Sequence, residues 1–177
     1  MPRTSDTRAQ DGPALRIWSS ENQRAEALTN AIYGTIIMAA FFAVVDGLVD
    51  SAAEVLAELI FATLVLFLAH LFAAAVGAGA ASDRRLSPSW ALRILGAQLP
   101  LVLVVTPPML LLAVASTGAF SVEVAVRVSM AYSVGFLFSV SFLLARHHGR
   151  GAARSALYGA IGAGLGIAVI GLEAALH

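Results

Sequence analysis

The sequence predicts an all-α, polytopic membrane protein: a bundle of five transmembrane helices with its N-terminus in the cytoplasm and its C-terminus outside. Three observations support this prediction. Of the 177 residues, 59% are hydrophobic and 12% are charged, about half the charged fraction of a typical soluble domain. Long uncharged stretches separate the charged residues. All 11 basic residues are arginines, and all but Arg127 fall in segments assigned to one side of the membrane.

The uncharged stretches set the predicted spans. They contain 19 residues after Glu26, 24 after Glu58, 29 after Arg93, 18 after Arg127 and 18 after Arg154. A helix needs about 20 mostly apolar residues to cross the hydrocarbon core of a bilayer, whereas the strands of a membrane barrel would alternate apolar and polar residues. These stretches do not alternate. The predicted spans, within a transmembrane domain of residues 23–177, are 26–46, 54–79, 91–115, 123–145 and 154–175.

The first 22 residues are polar and contain Pro2 and Pro13. They predict a disordered or interfacial cytoplasmic tail, with an interfacial turn around residues 15–18. Since no apolar segment follows Met1, we expect no cleaved signal peptide.

Arginine placement predicts the orientation. Ten arginines lie in the N-terminal tail and in the second and fourth connections: Arg3, Arg8, Arg16, Arg24, Arg84, Arg85, Arg93, Arg146, Arg150 and Arg154. The first and third connections carry carboxylates instead. Under the positive-inside rule the arginine-rich side is cytoplasmic. An arginine-only, alanine-rich composition is typical of a GC-rich bacterial genome, which makes the plasma membrane the expected location.

Composition and motifs exclude several function classes. A net charge of zero gives no footprint for nucleic acid, and the absence of cysteine excludes disulfides and thiolate metal sites. The adjacent His147 and His148 are too few ligands for a metal site. The sequence contains no arrangement typical of a catalytic triad, a zinc protease or a carboxylate pair. We therefore expect no enzyme activity, no catalytic or metal-binding residue and no cofactor.

Polar residues inside three predicted spans lie at a similar depth on the arginine-rich side. Asn30 lies about one turn from that end, Gln98 about two turns and His70 a little over two turns. Arg24, which precedes Asn30, belongs to the same predicted layer. One interpretation is a polar layer that lines or gates a pathway, with an imidazole able to change charge near neutral pH. The other is interhelical hydrogen bonding that only stabilises the bundle.

A second polar group is predicted near the opposite side. It comprises Asp46, Glu58, Arg127 and Glu173, which form either an ion-paired outer mouth that attracts cations or a set of charges that link helix ends and extend to water.

Two further patterns concern helix shape and packing. Pro100, Pro107 and Pro108 predict a kinked third helix. Gly162 and Gly166 form a G-x-x-x-G pattern in the fifth helix, a close-packing surface for a helix of the same chain or of a second subunit.

The segment from Arg24 to Asn30 resembles the first helix of the lysosomal-type potassium channel family and its prokaryotic relatives. That family carries R-x-x-x-F-S-D. Arg24 matches its arginine, and Leu28, Thr29 and Asn30 stand in place of Phe, Ser and Asp. Its second helix ends in a histidine-bearing segment similar to that around His70. The sequence Gln98-Leu99-Pro100 is similar to a segment of its third helix, so the resemblance covers the first three helices.

The resemblance implies a homo-oligomer in which monovalent cations pass a pore lined by the first helix. The implied pore stripe is Gly34, Ile37 and Phe41, which continues from Asn30 at helical spacing. A second, weaker resemblance is to the vacuolar iron transporter family, in the five helices and the short basic loop before a glycine-rich last helix. Its Ser-Met-Ala-x-Gly-Glu segment is absent here.

Three hypotheses follow for function. The first is an oligomeric cation channel, similar to potassium channels. The second is a small proton- or metal-coupled transporter that uses His70 and the outer carboxylates. The third is a structural or accessory membrane subunit without transport activity, for which the G-x-x-x-G surface binds a partner.

Overall fold

The chain is all-α, as the sequence predicts. A computed structural model describes the backbone of residues 13–48, 50–81 and 88–176, and the side chains of residues 24–48, 50–77, 96 and 98–175. The helices are α1 (Pro13–Val45), α2 (Ala52–Ala81), α3 (Pro88–Ala115), α4 (Val122–His147) and α5 (Ala152–Leu176).

Each helix contains a segment long and apolar enough to cross a membrane. These segments are Arg24–Val45, Ala52–Gly77, Gln98–Ala115, Val122–His147 and Ala152–Ala175, with 18 to 26 residues and mean hydropathies of 1.8 to 2.5. A helix of this length covers the hydrocarbon core at about 1.5 Å per residue. The prediction of an integral membrane protein with five spans is confirmed, and its orientation stays a prediction.

Helix α1 begins earlier than the tail prediction suggests. It starts at Pro13, so residues 13–22 are helical, the interfacial alternative for them stays a prediction, and residues 1–12 lie outside the described residues. Proline suits the first turn of a helix because its missing N–H would have no partner there. The following residues include good helix formers such as Ala14, Leu15 and Arg16. Local propensity therefore extends the helix beyond its apolar segment.

Helix α3 is a continuous helix from Pro88 to Ala115 although it contains Pro100, Pro107 and Pro108. Each proline removes one backbone donor. Pro108 nevertheless belongs to the most fully buried of the described residues and packs into the core, whereas Pro107 is exposed.

Glycines terminate three of the helices on positive φ angles. Gly47, Gly118 and Gly149 have φ values of 78°, 83° and 73°, a conformation that side chains disfavour. At Gly149 the turn is a Schellman motif. The Gly149 N–H donates to the Arg146 carbonyl at 3.0 Å, and the Arg150 N–H donates to the Ala145 carbonyl at 3.2 Å. This turn directs the chain from α4 back along α5.

Helix α1 is the centre of the bundle. It packs against α3, α4 and α5, whereas α2 packs mainly against α3. Met38 and Phe42 of α1, Val55 of α2 and Leu112 of α3 are at most 1% exposed and form part of one core. Only 6% of the membrane segment of α2 is buried, against 39% for α1. Helix α2 is therefore peripheral, and a crevice separates it from α1.

Candidate functional site

A polar chamber opens between α1, α2 and α3 at the arginine-rich end of the bundle. It has a volume of about 490 Å³, and its polar lining comes from all three helices. These residues are Glu26, Thr29 and Asn30 of α1, His70 of α2 and Gln98 of α3. The structure thus places Asn30, His70 and Gln98, which the sequence assigned to one layer, around one cavity. Arg24, five residues before Thr29, is exposed at the same end.

His70 is held by its own helix and by α1. Its Nδ1 lies 2.9 Å from the Leu66 carbonyl oxygen. Because a carbonyl only accepts, Nδ1 carries the hydrogen. Its ring lies 5.4 Å from the ring of Tyr33, centroid to centroid. In the neutral ring Nε2 is therefore an acceptor.

Gln98 brings an unsatisfied acceptor to the chamber. Its side chain is 5% exposed, and its Oε1 has no hydrogen-bond partner among the described residues. Leaving a buried polar group unpaired costs about 1–3 kcal/mol. Such a group in a polar cavity is ordinarily satisfied by water or by a ligand that donates or carries positive charge.

Glu26 supplies a carboxylate at the chamber. It is exposed and lies four residues before Asn30, so both side chains share one face of α1. Thr29 uses its hydroxyl on its own helix, donating to the Ala25 carbonyl at 2.9 Å. The polar layer predicted from the sequence comprises Arg24, Asn30, His70 and Gln98 and leaves Glu26 out. The spacing of four residues between Glu26 and Asn30 is the signal that identifies it.

An apolar constriction follows deeper along the same three helices. Its cavity is about 30 Å³, and its lining includes Ile37, Met38 and Phe41 of α1, Leu59 and Leu66 of α2, and Val105 of α3. Thr63 also lines it, but the Thr63 hydroxyl donates to the Leu59 carbonyl at 2.7 Å. The polar group is satisfied locally, which leaves the constriction apolar.

The implied pore stripe lies at this constriction. Gly34, Ile37 and Phe41 all line it, so the stripe is directed toward α2 and α3 of the same chain. A Cβ on Gly34 would lie 3.3 Å from Leu101 Cγ of α3. The glycine therefore lets α1 and α3 approach closely beside the crevice.

A polar vestibule lies at the opposite end of the three helices. It has a volume of about 370 Å³ and lies between the start of α2 and the turn from α3 to α4. Asp50, Ser51, Ser116, Ser121 and Glu123 give it its polar lining. The chamber, the constriction and the vestibule follow one another along α2. Between Ala52 in the vestibule and His70 in the chamber, the helix rises about 27 Å, close to the hydrocarbon thickness of a bilayer.

The predicted outer charged group is distributed over three helices and the turn after α1. Asp46, Glu58 and Arg127 are exposed, and Glu173 is partly buried. Arg127 interacts electrostatically with Glu123, one turn earlier on α4. The sequence grouped Arg127 with Asp46, Glu58 and Glu173, and that grouping stays a prediction. The four-residue spacing of a Glu followed by an Arg is the local signal for the pair Glu123–Arg127.

The glycine-rich face of α5 packs against α4 within the chain. A Cβ on Gly162 would lie 2.6 Å from the Leu137 carbonyl oxygen and would overlap the Ser141 hydroxyl. A Cβ on Gly166 would lie 3.1 Å from Leu137 Cδ1 and 3.3 Å from Val134 Cγ2. Of the two alternatives left by the sequence, this G-x-x-x-G surface serves the packing of α5 on α4.

In the described part of the chain, no group of three or more His, Asp or Glu side chains lies close enough together to bind a metal ion. The chain matches no protein-family model, no curated protein and no solved structure. The class that the fold defines is an integral membrane protein with five membrane-spanning helices.

Proposed function

We propose that this membrane protein passes a small monovalent cation along the crevice between α1 and α2. The observation that carries the proposal is the order of its three parts. Along α2, the polar chamber and the polar vestibule lie toward opposite ends, with the apolar constriction between them. Hydrophobic constrictions between polar mouths gate ion flow by excluding water until they widen.

The chemistry of the two ends supports a cation as the permeant species. Glu26 lies at the chamber, and Asp50 and Glu123 lie at the vestibule, so each mouth contains at least one carboxylate. The unpaired Oε1 of Gln98 adds a neutral oxygen at the chamber. Oxygen atoms are the ligands that weakly hydrated cations find in selective pores. The resemblance of the Arg24–Asn30 segment to potassium channels makes K⁺ the first ion to test.

The peripheral position of α2 supports a gate that opens. Ile37 and Phe41 face Leu66 across the constriction, and α2 is held mainly through α3. A helix with few buried contacts moves at lower free-energy cost than one in the core. A modest displacement of α2 from α1 widens the constriction. The same exposed helix is the surface on which we propose that a second copy closes the crevice, as in a homo-oligomer.

A K⁺ flux assay with reconstituted liposomes tests the proposal. Ile37→Asn places an amide in the constriction and hydrates it, so we expect K⁺ flux about tenfold or more above that of the unmodified chain. Ile167→Asn is the matched control, because this substitution makes the same chemical change outside the crevice. Ile167 lies on α5 and is 60% exposed. We expect little change there. If neither the unmodified chain nor Ile37→Asn exceeds empty liposomes between pH 5 and pH 8, the proposal fails.

One observation favours a second candidate, a proton-coupled transporter. Glu26 and His70 are two proton-exchanging groups that share the chamber. In that case an imposed pH gradient drives cation uptake, and His70→Gln, which keeps a polar side chain, abolishes the coupling. The cation channel predicts K⁺ flux without a pH gradient, so the same liposomes distinguish the two functions. If neither activity is detected, the remaining hypothesis is a structural or accessory membrane subunit.

A further inference from the structure

A second large cavity lies between α4 and α5 at the arginine-rich end, separate from the crevice. Its volume is about 470 Å³. The part of the lining that faces along the helices is apolar and includes Leu144, Ile161 and Leu165, whereas the end near the turn carries His148, Arg150 and Tyr158. The cavity is thus amphipathic, with its polar end at the point where both membrane segments end.

The polar end of this α4–α5 cavity is held in place by the turn itself. The Schellman motif at Gly149 fixes the backbone of Arg150, and Arg146 Nη1 donates to the Arg150 carbonyl at 3.4 Å. The Arg150 guanidinium carbon lies 4.1 Å from the centroid of the Tyr158 ring. Stacking on the ring uses the face of the guanidinium and leaves its edge N–H donors for an anion.

His148 adds a second nitrogen donor. Its Nδ1 lies 2.8 Å from the Leu144 carbonyl oxygen, which fixes the hydrogen on Nδ1 and leaves Nε2 for another partner. Both basic side chains of the cavity are therefore oriented by contacts with α4 and α5 rather than by a carboxylate.

The charge of this hairpin is positive and is not balanced locally. Arg146, Arg150 and Arg154 recur every four residues, and no Asp or Glu occurs between Glu123 and Glu173. All three arginines are exposed. Basic pockets between transmembrane helices at a membrane surface are complementary to anionic lipid headgroups. An apolar groove that leads away from such a basic rim is complementary to an acyl chain.

We infer that the α4–α5 cavity binds an anionic phospholipid of the surrounding leaflet. Arg150 and His148 hold the phosphate, and Leu144, Ile161 and Leu165 contact an acyl chain. The inference is independent of cation passage, because none of these residues lines the crevice. The lipid would also cover the outer side of the close α4–α5 contact.

Native mass spectrometry of the full chain in detergent tests the inference. Phosphatidylglycerol and phosphatidylcholine with identical acyl chains are added in competition. We expect phosphatidylglycerol to bind about tenfold more tightly. Arg150→Gln should reduce this preference about fivefold, since one basic residue near an anionic lipid contributes about that factor. Arg150→Lys should keep most of it.

The control is Arg127→Gln, which removes the same charge from an exposed position at the other end of α4 and should leave the preference unchanged. Equal binding of the two lipids, or an equal loss in Arg127→Gln and Arg150→Gln, would overturn the inference. A third arm adds inorganic phosphate at about 10 mM. If phosphate alone displaces the lipid completely, the site recognises a free anion and the lipid assignment is wrong.

Discussion

At the residue scale, the side chains that matter most are those whose hydrogen bonding is incomplete. Most hydroxyl groups in the spans donate to the carbonyl four residues earlier, as Thr35 does at 2.7 Å and Ser133 at 2.9 Å. Among the described side chains, two buried polar atoms have no hydrogen-bond partner: the amide oxygen Oε1 of Gln98 and the hydroxyl oxygen Oγ of Ser129. Gln98 lines the chamber, whereas Ser129 belongs to the buried face of α4. Their locations therefore suggest a functional role for Gln98 and a packing role for Ser129.

Replacing Gln98 should therefore stabilise the folded protein and reduce its K⁺ flux. Gln98→Met keeps the volume and removes the unpaired acceptor, so we expect the free energy of unfolding to rise by about 1 kcal/mol. The oxygen at the chamber is lost, so K⁺ flux should fall severalfold. Thermal unfolding in detergent and the liposome assay measure the two effects.

Ser129→Ala is the control for this pair of measurements. It removes the other unpaired buried atom and should give a similar gain in stability without a change in flux. A Gln98→Met protein with undiminished flux would remove Gln98 from the proposed pathway.

At the scale of elements, the helices differ in how they are held. The α4–α5 hairpin is closely packed because glycines of α5 admit the backbone and side chains of α4, whereas α2 rests mainly on α3. Small residues are the usual means of close helix approach in membranes, where no hydrophobic driving force acts between helices. One side of the bundle is thus rigid, and the side with the crevice is loosely held.

The glycines of α5 provide a direct test of this packing. Gly162→Ala places a Cβ 2.6 Å from a backbone carbonyl, which a side-chain rotation cannot relieve. We expect a loss of about 2 kcal/mol, or about 6 °C in the unfolding midpoint. In Gly164→Ala the added Cβ meets nothing within 4 Å, so helix propensity predicts no loss and a small gain. Equal midpoints for the two variants would show that the α4–α5 contact is looser than described.

At the scale of the whole molecule, the charge distribution predicts an orientation. One end of the bundle contains the turn between α4 and α5, near Arg150, and the first residues of the membrane segment of α1. The turns after α1 and α3 lie at the other, with Asp46, Asp50 and Glu123. A potential across the membrane and anionic cytoplasmic lipids both favour arginines inside.

Cysteine labelling tests the orientation cleanly, because the chain contains no cysteine. Thr117→Cys, in the exposed turn after α3, should react in intact cells with a membrane-impermeant maleimide. Arg154→Cys, exposed at the start of α5, should react only after the membrane is opened. The reverse result would invert the topology and place the proposed lipid site in the outer leaflet.

The sequence predicted more of the fold than of the site. The five spans are local properties, since apolar length against bilayer thickness identifies each one without reference to the others. The grouping of Asn30, His70 and Gln98 was also accessible, because depth along antiparallel helices follows from counting residues. The electrostatic interaction of Arg127 with Glu123, one turn earlier on α4, was not among the contacts predicted for Arg127, although the local spacing indicates it.

By itself, then, the sequence determined the class of protein, the number of spans and the depth of its polar residues. Tertiary structure alone decided which helix faces meet. It directed Gly34, Ile37 and Phe41 toward α2 and α3, and it used Gly162 and Gly166 to pack α5 on α4. Depth is set by the chain's own partition between lipid and water, whereas rotation about each helix axis is set by packing against neighbours. An apolar helix carries little record of that rotation, because lipid and protein interior are similarly apolar.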